Sequence, residues 1–311
     1  MPVDPEVTMI KRLLLVASTN RRLEKLMSTS PLARGLVSRY VAGDTLQEAI
    51  AVTRELRAHG IDVSLDLLGE TVDDLAESAI ATKAYVEAVR AIAENRLGAT
   101  VSVKLSQLGI GLDPAVCADH LDELLRAAAE VGVPVEIDME HSSVGPATLE
   151  AFRAAVHDHP GTRIAIQAAM RRTPGDLESF TGVTPRIRLV KGAFLEPIEK
   201  SLQERKEITA QYRYLADWAL VNLPDPAFGT HDDACIDHVK RSADRLGIAR
   251  RDFEFQMLHG VRRDVQRALA EEGYRIRVYL PYGMQWYPYL MRRMAERPAN
   301  LLLFLRSLVS G

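Results

Sequence analysis

The chain has 311 residues, 47% apolar and 26% charged, the balance of a folded globular protein and not of a disordered or fibrous one. Its formal net charge of -3 lacks the basic footprint that duplex binding requires, so nothing points to nucleic acid as a partner. Two cysteines far apart in sequence, Cys117 and Cys235, read as free thiols of a cytoplasmic protein and imply no disulfide framework.

The N-terminal run "MIKRLLLVAST" places basic residues before apolar ones, as an export signal does. Its uninterrupted apolar core, Leu13 to Ala17, is shorter than the roughly 7 residues such a signal needs, and an N-terminal helix is expected instead. No later run reaches the ~18 apolar residues of a membrane span, so any membrane contact would be peripheral. Residues 1–59 read as helical decoration, with Asp44 capping a helix at 45–58, ahead of one domain at 60–311.

From residue 62 onward, short β-branched or apolar runs alternate with helix-period segments. The runs are "DVSLDLLG" from 62, "TVSVKLSQLG" from 100, "PVEIDME" from 134, "RIAIQAA" from 163, "IRLVKGAF" from 187, "AFGTHD" from 227, "FEFQML" from 253 and "IRVYLPYG" from 276. Helices are expected at 71–96, 114–131, 145–158, 198–222, 233–246 and 261–272, with a last one after the eighth strand. Eight strands separated by helices predict an α/β fold of the (βα)8 TIM-barrel type. The alternative is an open doubly wound sheet, which more often carries a Gly-rich phosphate loop after its first strand; "DLLGET" is not one.

Barrel active sites form at the C-terminal ends of the strands. That rule selects Asp66 and Glu70, Lys104, Asp138 and Glu140, Gln167, Arg188 and Lys191, His231, Gln256 and Tyr279. Lys104, Gln167 and Arg188 stand out because each lies in an otherwise apolar strand, where a lone polar group is costly without a partner.

Several motifs compete for the chemistry. In "GTHDDACIDH", residues 229–238, His231, Asp232, Asp233, Cys235 and His238 resemble a metal-ligand list, yet Asp232 or Asp233 is equally a natural helix N-cap. "CADH" at 117–120 lacks a second ligand pair and reads as structural. "DMEHS" at 138–142 offers carboxylates for acid/base work, Asp138 the better placed, with Asp138 and Glu140 on one strand face if the strand runs through both. In "RLVKGAF", Gly192 follows a cationic strand end, where backbone N–H groups can approach a phosphate or a flavin. No G-x-S-x-G elbow supports a serine nucleophile.

Near the C-terminus, "VYLPYGMQWYPYLMRRMAERPANL" sets Tyr289, Arg292, Arg293 and Glu296 within about 100° on one helix face, opposite Leu290, Met291 and Met294. An adjacent arginine pair is either a solvated face or a site for an anion; the neighbouring ring suits a small acid with an apolar body.

Taken in order, "VKLSQLG", "IDME", "IQAA", "RLVKGA", "THD", "FQMLHG" and "YLPYG" followed by "PYLMRRMAERPANL" resemble the proline dehydrogenase family in its short monofunctional bacterial form, over about residues 60–306. The resemblance implies an FAD enzyme that oxidises L-proline to Δ1-pyrroline-5-carboxylate and passes electrons to a membrane quinone, with functional coupling to a pyrroline-5-carboxylate dehydrogenase. It further implies that Lys104, Arg292 and Arg293 hold the substrate carboxylate, and that Tyr279, Tyr289 and Leu258 pack around its ring. Glu296 would orient the arginines, and Glu70 would close over the site by pairing with Arg292. Arg188 would lie by the flavin N5, with Asp138, Met139, Gln167, Lys191, Gly192, Ala193, Thr230 and His231 lining the cofactor. Phe194 departs from the family pattern, which often has Tyr after "VKGA". Two other readings remain at this stage: a metal-dependent barrel hydrolase using His231 and its neighbours, and a non-catalytic barrel that binds an amino acid.

Overall fold

The computed structural model describes residues 31–69, 71–180 and 184–296. The expected strands form eight parallel elements that close on themselves in chain order: β1 (Asp62–Leu67), β2 (Thr100–Val103), β3 (Val135–Ile137), β4 (Arg163–Gln167), β5 (Arg186–Val190), β6 (Ala227–Gly229), β7 (Glu254–Leu258) and β8 (Arg275–Tyr282). β8 returns to β1 with Ser64 opposite Tyr279 and Leu65 opposite Leu280, which removes both sheet edges. The chain is a (βα)8 barrel.

Described helices are α1 (Pro31–Tyr40), α2 (Leu46–Ala58), α3 (Leu75–Glu94), α4 (Pro114–Val131), α5 (Gly145–Asp158), α6 (Thr173–Glu178), α7 (Arg205–Asn222), α8 (Asp233–Leu246), α9 (Arg263–Glu271) and α10 (Trp286–Glu296). Their ends follow local chemistry. Asp113 caps α4 ahead of Pro114, and Gly132 at φ 70° ends it in the left-handed conformation that costs glycine least. The cap of α2 is Thr45 and not Asp44: its hydroxyl accepts from Glu48 N, and the Glu48 carboxylate accepts from the Thr45 N–H, a reciprocal pair that Asp44 cannot make.

Other boundaries moved too. α3 starts at Leu75 because Asp74 accepts from Glu77 N and stops the helix there. The segment expected to be helical from 198 stays a loop until Arg205, since the chain is pinned to the end of β4, with Leu202 N donating to Ala169 O at 2.8 Å and Ser201 bridging Met170. β2 ends at Val103, after which the Lys104 and Leu105 carbonyls accept from Gln107, Leu108 and Ile110 in a turn. The short α6 had no expectation attached to it. The N-terminal helix expected near residues 9–19 lies outside the described residues.

Strand alternation gives the barrel two chemistries. Val63, Leu65, Val101, Val103, Ile137, Ile164, Ile166, Leu189, Phe255, Val278 and Leu280 share one apolar core with helix residues such as Ile50, Tyr85, Leu124, Phe152 and Tyr212. Each fully buried Leu, Ile or Phe there contributes roughly 1.5–3 kcal/mol. The alternate residues point inward and are largely polar. Arg163 Nη1 crosses from β4 to Glu254 Oε1 on β7 at 2.6 Å, Arg188 Nη1 from β5 to Glu136 Oε2 on β3 at 2.9 Å, and Arg277 Nε meets Glu254 Oε1 at 3.0 Å.

A smaller apolar cluster sits outside that core. α10 packs Tyr287, Tyr289, Leu290, Met291 and Met294 against Tyr40 and Val41 at the end of α1 and Leu68 just past β1.

Candidate active site

The C-terminal mouth of the barrel gathers side chains from strands far apart in sequence. Lys104, directly after β2, donates to Asp66 Oδ1 on β1 and to Tyr279 OH on β8 at 3.1 Å, and lies 3.4 Å from Asp138 Oδ2 after β3. The Tyr279 hydroxyl donates to Asp138 Oδ2 at 2.6 Å. Asp138 Oδ1 accepts from Ser102 Oγ at 2.7 Å and from Arg188 Nη2, and the Arg188 guanidinium carbon stands 5.5 Å from the Tyr279 ring centre. Two carboxylates, two cations and a phenol thus form one bonded network.

Electrostatics separates the two carboxyl groups. Burial pushes the Asp138 carboxyl up, but Lys104 and Arg188 outweigh it, and with the Tyr279 and Ser102 hydrogen bonds they hold its pKa down at about 2. Asp66 shifts the other way: burial raises it, its neighbour Asp138 adds to the rise, and Lys104 offsets only part. Tyr279 is driven well above its ordinary value, first by burial and then by the two carboxylates, so it stays a hydrogen-bond donor.

The residues expected to line a cofactor stand on the β3 to β6 side. Gln167 donates both amide hydrogens into the β3 exit, to Met139 O at 3.2 Å and Glu140 O at 3.1 Å. Gly192 has φ 102°, and a Cβ there would meet Ala169 Cβ at 3.2 Å and Gln167 Oε1 at 3.3 Å, so its backbone surface must stay bare. Ala193 beside it is exposed. Lys191 donates to Asp232 Oδ2 at 2.6 Å and to Thr209 at 2.9 Å, which fixes the strand end from behind. Thr230 is buried and accepts from Asp232 N at 3.2 Å. His231 Nε2 accepts from Leu258 N at 2.9 Å, which leaves the ring proton on Nδ1 and seats Leu258 at the rim. Arg188 Nε is buried with no hydrogen-bond partner among the described residues. A buried donor without a partner and a glycine whose surface must stay bare, both on the β5 side of the mouth, suit a flat ligand with acceptor atoms along its edge.

α10 carries the arginine pair over the β8–β1 side of the mouth. Tyr289 is buried in the outer cluster, the Arg293 guanidinium lies 5.2 Å from its ring centre, and Arg292 and Arg293 are half-buried. The pair belongs to a helix face half-closed by packing, not to a fully solvated one. Glu70 and the Glu296 side chain lie outside the described residues.

The remaining motifs have structural partners. Asp232 caps α8 by accepting from Ala234 N at 3.0 Å, Cys235 is buried, and His238 Nε2 is 3.0 Å from Asp217. Among the described residues, no group of three His, Cys, Asp or Glu side chains is placed to hold a metal. Cys117 lies 3.7 Å from Leu105 O with its pKa pushed up to about 12, mainly by burial. β3 ends before both Asp138 and Glu140, so the expected shared strand face fails: Glu140 turns away and accepts from Ser106 N at 3.0 Å and Oγ at 2.5 Å. Phe194 packs its ring 4.0 Å from that of His141, tying the loop after β5 to the one after β3. Sequence reasoning missed the interior charges Glu136, Arg163, Glu254 and Arg277. The signal that singled out Arg188, a lone charge in an apolar strand, applies equally to each of them.

Comparison with known proteins agrees with this geometry. A family profile described as "Proline dehydrogenase" matches residues 49–302. Proline dehydrogenase 1 of Bacillus subtilis (strain 168) is 34% identical over 301 residues, covering 97% of this chain and 99% of the relative. Proline dehydrogenase of Deinococcus radiodurans is 37% identical over 283 residues, covering 89% and 91%. Among solved structures, proline utilization A (PutA) from Bdellovibrio bacteriovorus inactivated by N-propargylglycine superposes with a TM-score of 0.80 at 27% identity over 85% of this chain, which spans 33% of that longer one. A closed eight-stranded barrel, a charged mouth and relatives matched nearly end to end lead to one assignment: the chain belongs to the proline dehydrogenase family, oxidoreductases acting on proline.

Proposed function

We propose that this protein is an FAD-dependent proline dehydrogenase that oxidises L-proline to Δ1-pyrroline-5-carboxylate and delivers the electrons to a membrane quinone. The observation that carries the reading is the Lys104–Asp138–Arg188–Tyr279 network at the mouth, beneath a helix bearing Arg292 and Arg293, in a chain of this family.

In the network, Lys104 and Arg188 are already balanced by Asp66 and Asp138. An added substrate carboxylate therefore needs further cations, and Arg292 and Arg293 are the residues to supply them, with Lys104 as the third contact. Tyr279, Tyr289 and Leu258 pack around the pyrrolidine ring, and a ring substituent would meet Tyr279, which favours proline over 4-hydroxyproline. Glu296 orients the arginines and Glu70 pairs with Arg292 to close the site. Fixing a small ring by its acid on one side and by apolar contact on the other presents one C–H edge to the cofactor and excludes water.

FAD, when bound, supplies the two-electron acceptor. Arg188, Asp138, Met139, Gln167, Lys191, Gly192, Ala193, Thr230 and His231 are the residues to hold it. The orphaned Arg188 Nε and the bare Gly192 fit a flavin edge. Phe194 offers no hydroxyl there and serves instead as packing for His141. Asp138, kept ionised, and Arg188 act at the reacting edge, Asp138 holding Tyr279 and Arg188 in place.

Among the described residues no helix is long and apolar enough to cross a membrane. Leu195 and Ile198 are 63% and 61% exposed on the loop after β5, and Arg171, whose Nε donates to Ile198 O at 2.9 Å, is exposed beside them. Two bare aliphatic side chains next to a cation suit peripheral contact with an anionic bilayer holding the quinone. A separate pyrroline-5-carboxylate dehydrogenase would consume the product.

The test is the visible spectrum of the purified, FAD-reconstituted protein without oxygen, before and after L-proline. A flavin spectrum that bleaches is expected; a bound flavin indifferent to proline would overturn the proposal.

A further inference from the structure

Arg188 reaches the mouth with both outer nitrogens of its guanidinium already engaged. Nη2 donates to Asp138 at the mouth. Nη1 donates deeper into the barrel, to Glu136 Oε2 at 2.9 Å and Gln256 Oε1 at 3.2 Å, with Ser102 Oγ at 3.5 Å. Nε is left without a hydrogen-bond partner among the described residues, and it is buried. A planar fork held at both tips cannot swing, so the direction of its Nε–H is set by the two carboxylates that hold it.

Those carboxylates come from one strand. Glu136 and Asp138 are two residues apart on β3 and its extension, so they face the same way, one behind the other along the barrel axis. Glu136 is 1% exposed and is itself immobilised: Gln256 Nε2 donates to both its oxygens at 3.2 Å, Arg163 Nη1 lies at 3.2 Å and Arg277 Nε at 3.7 Å. Below it the same lattice continues through Glu254, which Arg163, Arg275 and Arg277 surround. Glu136 is thus the point where a rigid ionic interior meets the barrel-strand arginine that reaches the candidate site.

We propose that Glu136 is a positioning residue for the reaction: from inside the barrel it holds the Arg188 guanidinium so that Nε–H faces the flavin, and its negative charge lowers the reduction potential of that flavin. The proposal rests on the flavin reading above. Reduction adds negative charge to the cofactor, which a nearby arginine stabilises and a buried carboxylate behind that arginine opposes. Glu136 touches neither substrate nor cofactor, and acts only through Arg188.

The experiment compares Glu136→Gln, Glu136→Asp and Glu254→Gln holoenzymes with the parent, measuring the flavin midpoint potential by dye equilibration and the proline kcat and KM. Glu136→Gln keeps an acceptor and removes the charge. Its potential should move to more positive values, while kcat falls by up to about 100-fold as the arginine loses its aim. KM should change little, because the substrate acid is held by Lys104 and the α10 arginines. Glu136→Asp keeps the charge on a shorter arm, so it should lose kcat with a potential close to the parent's. Glu254→Gln breaks the lattice one layer below without touching Arg188, and should lower the melting temperature with a smaller shift in potential. A Glu136→Gln enzyme with the parent's potential overturns the proposal, as does a shift in Glu254→Gln that equals it. If Glu136→Gln does not fold, parental kcat in Glu136→Asp overturns it. Parent protein that takes up no flavin is a different result, seen before any variant is made, and brings down the functional reading itself.

Discussion

The outward and inward faces of the same eight strands hold the barrel together by opposite means. Outward, Val, Ile, Leu and Phe side chains meet the helix ring in an apolar layer. Inward, Glu136, Arg163, Arg188, Glu254, Gln256 and Arg277 form a bonded lattice in which no side chain is more than 8% exposed. An apolar layer tolerates exchange among shapes of similar volume because its attraction has no direction. An ionic lattice does not, since each charge is bearable only while its partners stand in place. The interior therefore trades tolerance for rigidity, and the mouth network is built on top of it.

The largest effect should come from breaking the lattice isosterically. Glu254→Gln changes almost no volume yet leaves Arg163, Arg275 and Arg277 around a neutral group, and should cost about 3–5 kcal/mol in urea unfolding. A cost below about 1 kcal/mol would erase the distinction between the two faces.

Acid should act on the two faces of the mouth in separate windows. His259, just past β7, has its pKa lowered to about 4, by burial first and Arg263 second. Its folded pKa is below the unfolded value of ~6.5, so the stability it represents is full above that pH and is lost as pH falls toward about 4. The size is on the order of 3 kcal/mol. Asp138, held at about 2, adds a second loss, on the order of 2 kcal/mol, as pH falls from ~4 to that value. Unfolding curves of His259→Gln should flatten the upper window alone, and Asp138→Asn the lower alone; one variant flattening both would show that the groups do not titrate independently.

On the outward face, Leu189→Met keeps volume and polarity and should cost under about 1.5 kcal/mol. Smallest of all, Arg126→Ala removes an exposed ion pair to Asp122 within α4, and thermal melts should register less than about 0.5 kcal/mol. A larger loss would mean that exposed charges in this fold behave like the buried ones.

The strand positions were legible because β-branched alternation repeats eight times, and α4, α5 and α8 were legible to the residue because Asp113, Pro146 and Asp232 mark their starts. The segment 198–204 was not. Its composition tolerates a helix, but the contacts that hold it open, from Ala169 and Met170, come from another part of the chain. Of the candidate site, Lys104, Asp138, Arg188 and Tyr279 were readable as strand-end polar residues, and the structure bonds them to one another. Glu140 stood in the same list and turned outward to Ser106, because the strand stopped three residues earlier than alternation assumes.

By itself, then, the sequence determined the barrel, the order of its elements and the family, since periodicity and ordered motifs are local properties that survive without coordinates. Only the tertiary structure decided which charges meet. Asp66 and Lys104, or Glu136 and Arg188, are separated by 38 and 52 residues, and what makes each pair bearable in the barrel is a partner supplied by another strand of the sheet, the neighbouring one for Asp66 and one two strands away for Glu136.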